Sequence, residues 1–328
     1  MRLGEFERID RFFAPLSRGA AGAFGLTDDA ALLPEAPDGS AWVVTVDALV
    51  AGVHFLAADP AGLIARKALR VNLSDLAAMG ARPYGYTLVL ALPRDLADPE
   101  RWLEGFAEGL RHDQEEFGIH LLGGDSVSTP GPIMVSVTAF GAVPRERPLR
   151  RSGARPGDDL WVSGSIGDSA FGLAVLTGAA GSSSDDNAFL AGRYHLPQPR
   201  TALGPALVGL ASAALDVSDG LVQDAGHIAR RSSVAVVVEA EQVPLSLATR
   251  RRIDGRPDLR HAALTGGDDY ELLFTAPAAA RGRVIEAAAT AGVAVTRVGA
   301  IEAGAGVRVV GPDGGSLDGY ERGGWSHF

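Results

Sequence analysis

The chain contains no cysteine in 328 residues. That absence excludes disulfides, thiolate zinc sites, iron–sulfur clusters and a cysteine nucleophile. Lysine is almost missing as well. Of the 30 basic residues only Lys67 is a lysine, and it sits in the helical run Ala-Arg-Lys-Ala-Leu, so the GxxxxGK[ST] phosphate loop cannot be completed. No GxGxxG opens a helix in a βαβ unit, and no GxSxG marks a hydrolase nucleophile. The seven histidines form no HExxH, which excludes a zincin. No apolar run approaches the roughly 18–20 residues of a membrane helix, and the opening MRLGEFERID is too charged for the core of a signal peptide. A cytoplasmic location is expected. Acidic residues outnumber basic ones 40 to 30, which argues against nucleic acid or an anionic membrane as the main partner.

What remains is an ordinary globular composition, 46% hydrophobic and 21% charged, on a chain longer than one core usually supports. Phe6, Ile9 and Phe12–Phe13 suggest a short N-terminal helix. The β-branched run Trp42–Val46 reads as a strand ending at Asp47, residues 60–79 as a helix opened by Pro60, and Tyr86–Leu92 as a second strand. Trp102, Leu103, Phe106 and Leu110 predict an amphipathic helix over Pro99–Phe117, closed by Gly118. Strands Ile119–Leu122 and Ile133–Val143 complete a first α/β domain. The stretch 144–158, PRERPLRRSGARPGD, is a composition break, and it divides the chain into domains 1–148 and 149–328. The second half predicts strands at 160–162, 213–217, 234–239, 270–275, 293–300 and 306–310. Helices are expected near 167–177, 200–212, 219–231 and 279–291, with a flexible loop over 178–187.

Aspartate exceeds glutamate 25 to 15, and its positions are not those of a solvated surface. Six clusters recur: Thr27-Asp-Asp-Ala30, Thr45-Val-Asp47, Asn72-Leu-Ser-Asp75, Gly123-Gly-Asp-Ser126, Asp216-Val-Ser-Asp-Gly220 and Gly266-Gly-Asp-Asp-Tyr270. Four adjoin apolar strands, and most carry Gly, Ser or Thr beside the carboxylate. Turn chemistry alone accounts for any one of them. Six together point to hard oxygen ligands for Mg²⁺ and a polyphosphate, which a net-acidic protein would otherwise repel. The Gly-rich Ser163–Ser169 has two readings, an anion-binding helix N-terminus or an ordinary cap.

As a set, GEF, TDDAALL, TVDALVAGVHF, KALRVNLSDLAAMGA, GGDS, RSGARPGD, DVSDGL and GGDDYELLF resemble the thiamine-monophosphate kinase family, within the superfamily of aminoimidazole ribonucleotide synthetase. The resemblance runs from residue 4 to the terminal Gly-Trp-Ser-His-Phe. It implies a two-domain PurM-like α/β (α+β) fold, with an N-terminal mixed sheet and flanking helices for ATP, Mg²⁺ and dimerisation, and a C-terminal α/β domain. It implies ATP-dependent phosphorylation of thiamine monophosphate to thiamine diphosphate, the last step of that cofactor's biosynthesis, with several Mg²⁺ ions. It also implies a homodimer whose N-terminal domains pair through their sheets. Asp29, Thr45, Asp47, Asp75, Asp125, Asp216 and Asp219 match the family's metal-ligand positions, with Val46 contributing through its backbone carbonyl. Gly124, Asp125, Arg151 and Ser218 match ATP-contacting positions. His54, Asp268 and Trp325 match positions that meet the thiamine substrate. Three departures stand out: Thr27 for the usual Gly, Val46 for a common hydroxyl residue, and Asp268 for the usual Glu.

The chemistry agrees. The acceptor phosphate, with a second pKa of about 6, is already a nucleophilic dianion at neutral pH, so no side chain need serve as a catalytic acid or base. Positioning and charge neutralisation suffice for direct in-line transfer. Zero cysteine sets aside the selenophosphate synthetase and carbamoyl-dehydrating relatives. Aminoimidazole ribonucleotide synthetase, or a non-catalytic Mg²⁺–nucleotide-binding regulator, remains the alternative.

Overall fold

The computed structural model describes residues 5–26, 31, 33–178, 183–254, 256–320 and 324. Chain contacts divide it into two units, the first of Met1–Leu76 with Ala81–Arg145, the second of Ala77–Gly80 with Glu146–Phe328.

The first unit opens with α1 (Glu5–Arg8), a π turn over Ile9–Phe13 and a 3-10 turn over Ala14–Ser17. Phe12, Phe13 and Leu16 are buried there. One four-stranded mixed sheet follows, built from β1 (Ser40–Val50), β2 (Arg82–Pro93), β3 (His120–Thr129) and β4 (Met134–Pro144) in the order β1-β4-β2-β3. The β2–β3 pair is parallel and the other two pairs antiparallel. β1 and β3 are therefore the sheet's two edges. Alternation decides the faces. Leu49, Leu88, Leu90, Val135, Val137 and Ala139 are buried on one side, while Val44, Val46, Val89 and Val127 on the other are 37–63% exposed.

Two long helices belong to the buried side, α2 (Ala61–Ala78) and α3 (Pro99–Phe117). They approach so closely that a Cβ on Gly109 would lie 2.3 Å from the Gly62 carbonyl oxygen, and Asp113 of α3 accepts from Arg66 and Arg70 of α2. α3 has the limits its apolar spacing predicts, with Asp98 capping one end and Gly118 (φ 63°) the other. β1 and β3 run further than expected. The hydrogen-bonded ladder carries β1 through Asp47 to Val50 and β3 through the whole GGDS segment to Thr129.

The second unit holds a six-stranded sheet of order β10-β7-β9-β5-β8-β6. Its strands are β5 (Asp158–Ser163), β6 (Ala213–Asp216), β7 (Ala235–Glu239), β8 (Leu272–Pro277), β9 (Val295–Glu302) and β10 (Gly306–Val310). Both faces are covered. Leu160, Val162, Leu215 and Leu273 enter one apolar cluster, and Trp161, Ala214, Leu272 and Phe274 the other. That burial on both sides makes the central strands continuous apolar runs rather than alternating ones.

Its helices are α4 (Asp168–Leu176), α5 (Ser184–His195), α6 (Leu203–Ala206), α7 (Leu221–Ser232), α8 (Leu247–Ile253), α9 (Pro257–Thr265) and α10 (Arg281–Thr290). Four differ from expectation. Of the predicted loop over 178–187, residues 179–182 lie outside the described residues and 184–187 open α5, whose cap Ser183 accepts from the Asp186 N–H. The helix expected over 200–212 is the single turn α6, interrupted by Gly204, Pro205 and Gly209 (φ 79°). Helices α8 and α9 lie where the sequence predicts none. The α/β fold with a mixed N-terminal sheet is as the sequence implies.

Candidate active site

In the first unit, β1 and α2 bring three of the expected residues together. Thr45 and Asp47 alternate onto the buried face of β1, and the Thr45 hydroxyl donates to Asp75 Oδ2 of α2. Because β1 is an edge strand, its outward N–H groups need partners from elsewhere. The Asp47 N–H finds one in Asn72 Oδ1 at 3.1 Å, and the Asn72 amide is anchored in turn on the Ala68 carbonyl at 2.9 Å. Asn72 and Asp75 lie three residues apart, on one face of the helix. Burial, reinforced by the Asp75 charge, pushes the Asp47 carboxyl up to about 6. Two carboxylates and a hydroxyl converge there, all hard oxygen donors.

The other first-unit residues stand differently. Val46 turns its side chain to the open face, 60% exposed, which leaves only its backbone on the Asp47 side. His54 lies in the turn after β1, where Gly52 takes φ 82° and His54 Nδ1 accepts from the Val50 N–H at 3.0 Å. Neutral His54 therefore carries its proton on Nε2. Gly124 and Asp125 are exposed on β3. Asp125 pairs in register with Val89 and so shares the open face, opposite to Asp47. Two strands separate β3 from β1, a span of about 14 Å. One copy of the sheet thus does not bring Asp125 to Asp47 and Asp75. Gly124 also has a local reason to be glycine, since a Cβ there would fall 2.0 Å from the Leu88 carbonyl oxygen. Asp29 and Trp325 lie outside the described residues.

In the second unit the organising fact is that β6 and β8 pair antiparallel, with Asp216 opposite Leu272. The segment leaving β6 therefore runs beside the segment entering β8, and DVSDG meets GGDDYE. Hydrogen bonds join the two: the Asp268 N–H donates to the Ser218 carbonyl, the Tyr270 N–H to the Val217 carbonyl and the Val217 N–H to the Glu271 carbonyl, each at 2.8 Å. A Cβ on Gly267 would sit 2.4 Å from the Ser218 oxygen, which is why this crossing needs glycine. The expected residues Asp216, Ser218, Asp219 and Asp268 are assembled this way.

Two members of the site carried no recognised signal in the sequence. Asp224, three residues into α7, is buried and accepts from the Asp219 and Gly220 N–H groups at 3.0 and 3.1 Å. Burial, then the Asp219 charge, pushes its carboxyl up to about 7. His227 follows one turn on, and Asp219, Asp224 and His227 converge closely enough to share a cation. Burial, and then the Arg151 charge, lowers the His227 pKa. The i, i+3 spacing of Asp224 and His227 was the available clue. The Arg151 backbone is held beside the C-terminal end of α7: the Ala214 N–H donates to the Arg150 carbonyl, and the Gly153 N–H to Ser232 Oγ. The Ser163–Ser169 segment resolves as a cap. The Gly167 N–H at the start of α4 donates to the Asp269 carboxylate at 2.8 Å, so this helix end holds a residue of its own chain.

Residues 27–143 match the N-terminal domain of AIR synthase related protein and residues 155–312 its C-terminal domain. A thiamine-monophosphate kinase of Caulobacter vibrioides is 44% identical over 306 residues, 92% of this chain and 85% of that protein. The chain belongs to the thiamine-monophosphate kinase family. As a member of that family it is an enzyme of the kinase class. Among solved structures, the family's enzyme from Stenotrophomonas maltophilia superposes with a TM-score of 0.84 at 45% identity, covering 97% of this chain and 99% of that one. AaThiL complexed with AMPPCP and TMP superposes with a TM-score of 0.78 at 33% identity, covering 100% and 99%.

Proposed function

We propose that the chain transfers a phosphoryl group from ATP to the phosphate of thiamine monophosphate, forming thiamine diphosphate and ADP by direct in-line displacement. The observation that carries this reading is the convergence of Thr45, Asp47 and Asp75, with the half-buried Asp47 set against a second carboxylate in a family whose AaThiL member was solved with AMPPCP, an ATP analogue, and TMP.

The donor set fits magnesium: every group is an oxygen, and two clustered carboxylates are costly to bury without a cation. In the first unit Thr45, the Val46 carbonyl, Asp47 and Asp75 would hold one ion, with Asp29, while Asp125, on the opposite face of the sheet, would serve a separate ion. In the second unit Asp216 and Asp219 would do so. Bound magnesium supplies charge neutralisation and a template for two polyanions. The chain's own residues do the remaining work. Gly124, Asp125, Arg151 and Ser218 bind ATP, and the planar fork of Arg151 suits phosphate oxygens. His54, Asp268 and Trp325 receive the thiamine moiety, His54 offering its Nε2 proton. No side chain serves as general base, because the acceptor is already ionised.

The protein is read as a cytoplasmic homodimer. Among the described residues no helix is long and apolar enough to cross a membrane. The valine-lined open face of the first sheet needs cover, and a second copy of this chain is read as that cover. The boundary between 1–148 and 149–328 is read as the division between the ATP- and Mg²⁺-binding, dimerising domain and the second domain.

The test is an assay with ATP, Mg²⁺ and thiamine monophosphate that follows ADP and thiamine diphosphate together. Equal amounts of both, abolished by a chelator, are expected. ADP without thiamine diphosphate, or inorganic phosphate released from thiamine monophosphate without ATP, overturns the reading.

A further inference from the structure

The segment Asp268-Asp-Tyr-Glu271 carries three carboxylates and a phenol in four residues, and the fold separates them by alternation. Asp269 and Glu271 are buried, 2% and 0% exposed. Asp269 caps α4 through the Gly167 N–H, while Glu271 accepts from Ser163, Arg193 and Arg200. Both are thereby committed to internal partners. Asp268 and Tyr270 take the opposite side and are half-buried. Their backbones are unusual: φ is 71° at Asp268 and 51° at Tyr270, a left-handed region that costs a non-glycine residue free energy, most of all a bulky one. Two such residues one apart persist because each N–H is fixed on the neighbouring loop, at Ser218 and Val217. The consequence is local. The Tyr270 hydroxyl donates to Asp268 Oδ1 at 3.2 Å.

We propose that Tyr270 is a positioning residue for the acceptor substrate: its hydroxyl fixes the rotamer of the Asp268 carboxylate. The inference rests on the assignment of Asp268 to the thiamine moiety in the preceding subsection. With its N–H fixed on Val217, Tyr270 holds its hydroxyl beside Asp268 Oδ1, so the phenol favours one orientation of that carboxylate. The strain is thus spent on orientation rather than on chemistry.

The experiment is steady-state kinetics on the full chain with both substrates varied. For Tyr270→Phe, the KM for thiamine monophosphate is expected to rise about five- to ten-fold, as for loss of one ordinary hydrogen bond. The KM for ATP stays within about two-fold and the melting temperature is retained. A second readout separates orientation from packing. Binding of thiamine monophosphate, measured calorimetrically with a non-hydrolysable ATP analogue present, is expected to weaken in Asp268→Ala and to weaken no further when Tyr270→Phe is added. An unchanged KM in Tyr270→Phe, an equal rise in both KM values, or additive losses in the double variant overturns the proposal while leaving the activity standing. A wild-type chain that makes no thiamine diphosphate overturns the activity itself, and this proposal with it.

Discussion

Asp47 shows how a single residue ties stability to function. Its carboxyl is raised above the ordinary 3.8 to about 6 by burial and by Asp75. A folded-state value above the unfolded one contributes stability that is complete below pH 3.8 and lost as the pH rises through about 6. At pH 7 without metal, Asp47 is therefore a liability. Asp47→Asn is expected to raise the melting temperature of the metal-free chain by roughly 2–4 °C, to abolish turnover, and to abolish any rise in melting temperature that added Mg²⁺ produces in the native chain. A fall of several degrees in the absence of metal would contradict this. Protons compete for the same oxygens, so Mg²⁺ affinity measured by calorimetry should weaken as the pH falls through about 6. Asp75→Asn should likewise abolish thiamine diphosphate formation with an unchanged circular dichroism spectrum; normal activity would remove Asp75 from the metal set.

Among the elements, the crossing of the β6 exit with the β8 entry depends on glycine more than on any functional side chain. Gly267→Ala places a methyl group 2.4 Å from the Ser218 oxygen, and the Asp268–Ser218 and Tyr270–Val217 hydrogen bonds must then break or lengthen. The expected outcome is a melting temperature lower by several degrees, with the KM values of both substrates raised. Retention of both within two-fold would show that the loops assemble independently of that contact. This crossing also shows what sequence reading reaches at this scale. DVSDGL and GGDDYELLF are separately legible as acidic turns at strand ends. Their adjacency comes from an antiparallel pairing between strands some 55 residues apart in the chain, which no local pattern encodes. Helices α5 and α8 were missed although their caps were present. Ser183 and Ser246 accept from the N–H three residues on, but serine- and aspartate-rich composition reads as loop until the amphipathic turn behind it is weighed.

For the molecule as a whole, the open face of the first sheet is the feature with the widest consequence. Val44 is 63% exposed in the middle of an edge strand, where an isolated domain would place a polar residue. If a second copy covers this face, as proposed, Val44→Arg should shift the protein toward monomer in sedimentation velocity and reduce turnover in parallel. A variant that stays dimeric and fully active would place the contact elsewhere.

The sequence by itself limited the chemistry. The lack of cysteine and the solitary lysine excluded thiolate and P-loop mechanisms, and six carboxylate clusters offered hard oxygen donors, because residue type and spacing limit which ligands a chain can offer. It also carried the α/β class, the limits of α3 and most strands, since apolar periodicity is local. Tertiary structure decided which clusters meet. It put Thr45, Asp47 and Asp75 together, sent Asp125 to the opposite face and recruited Asp224 and His227. It gave the Ser163–Ser169 amides to Asp269, and left Asp268 alone among three neighbouring carboxylates facing outward. Those outcomes depend on strand order and on which face each side chain takes, quantities set by long-range pairing and burial rather than by any stretch of sequence.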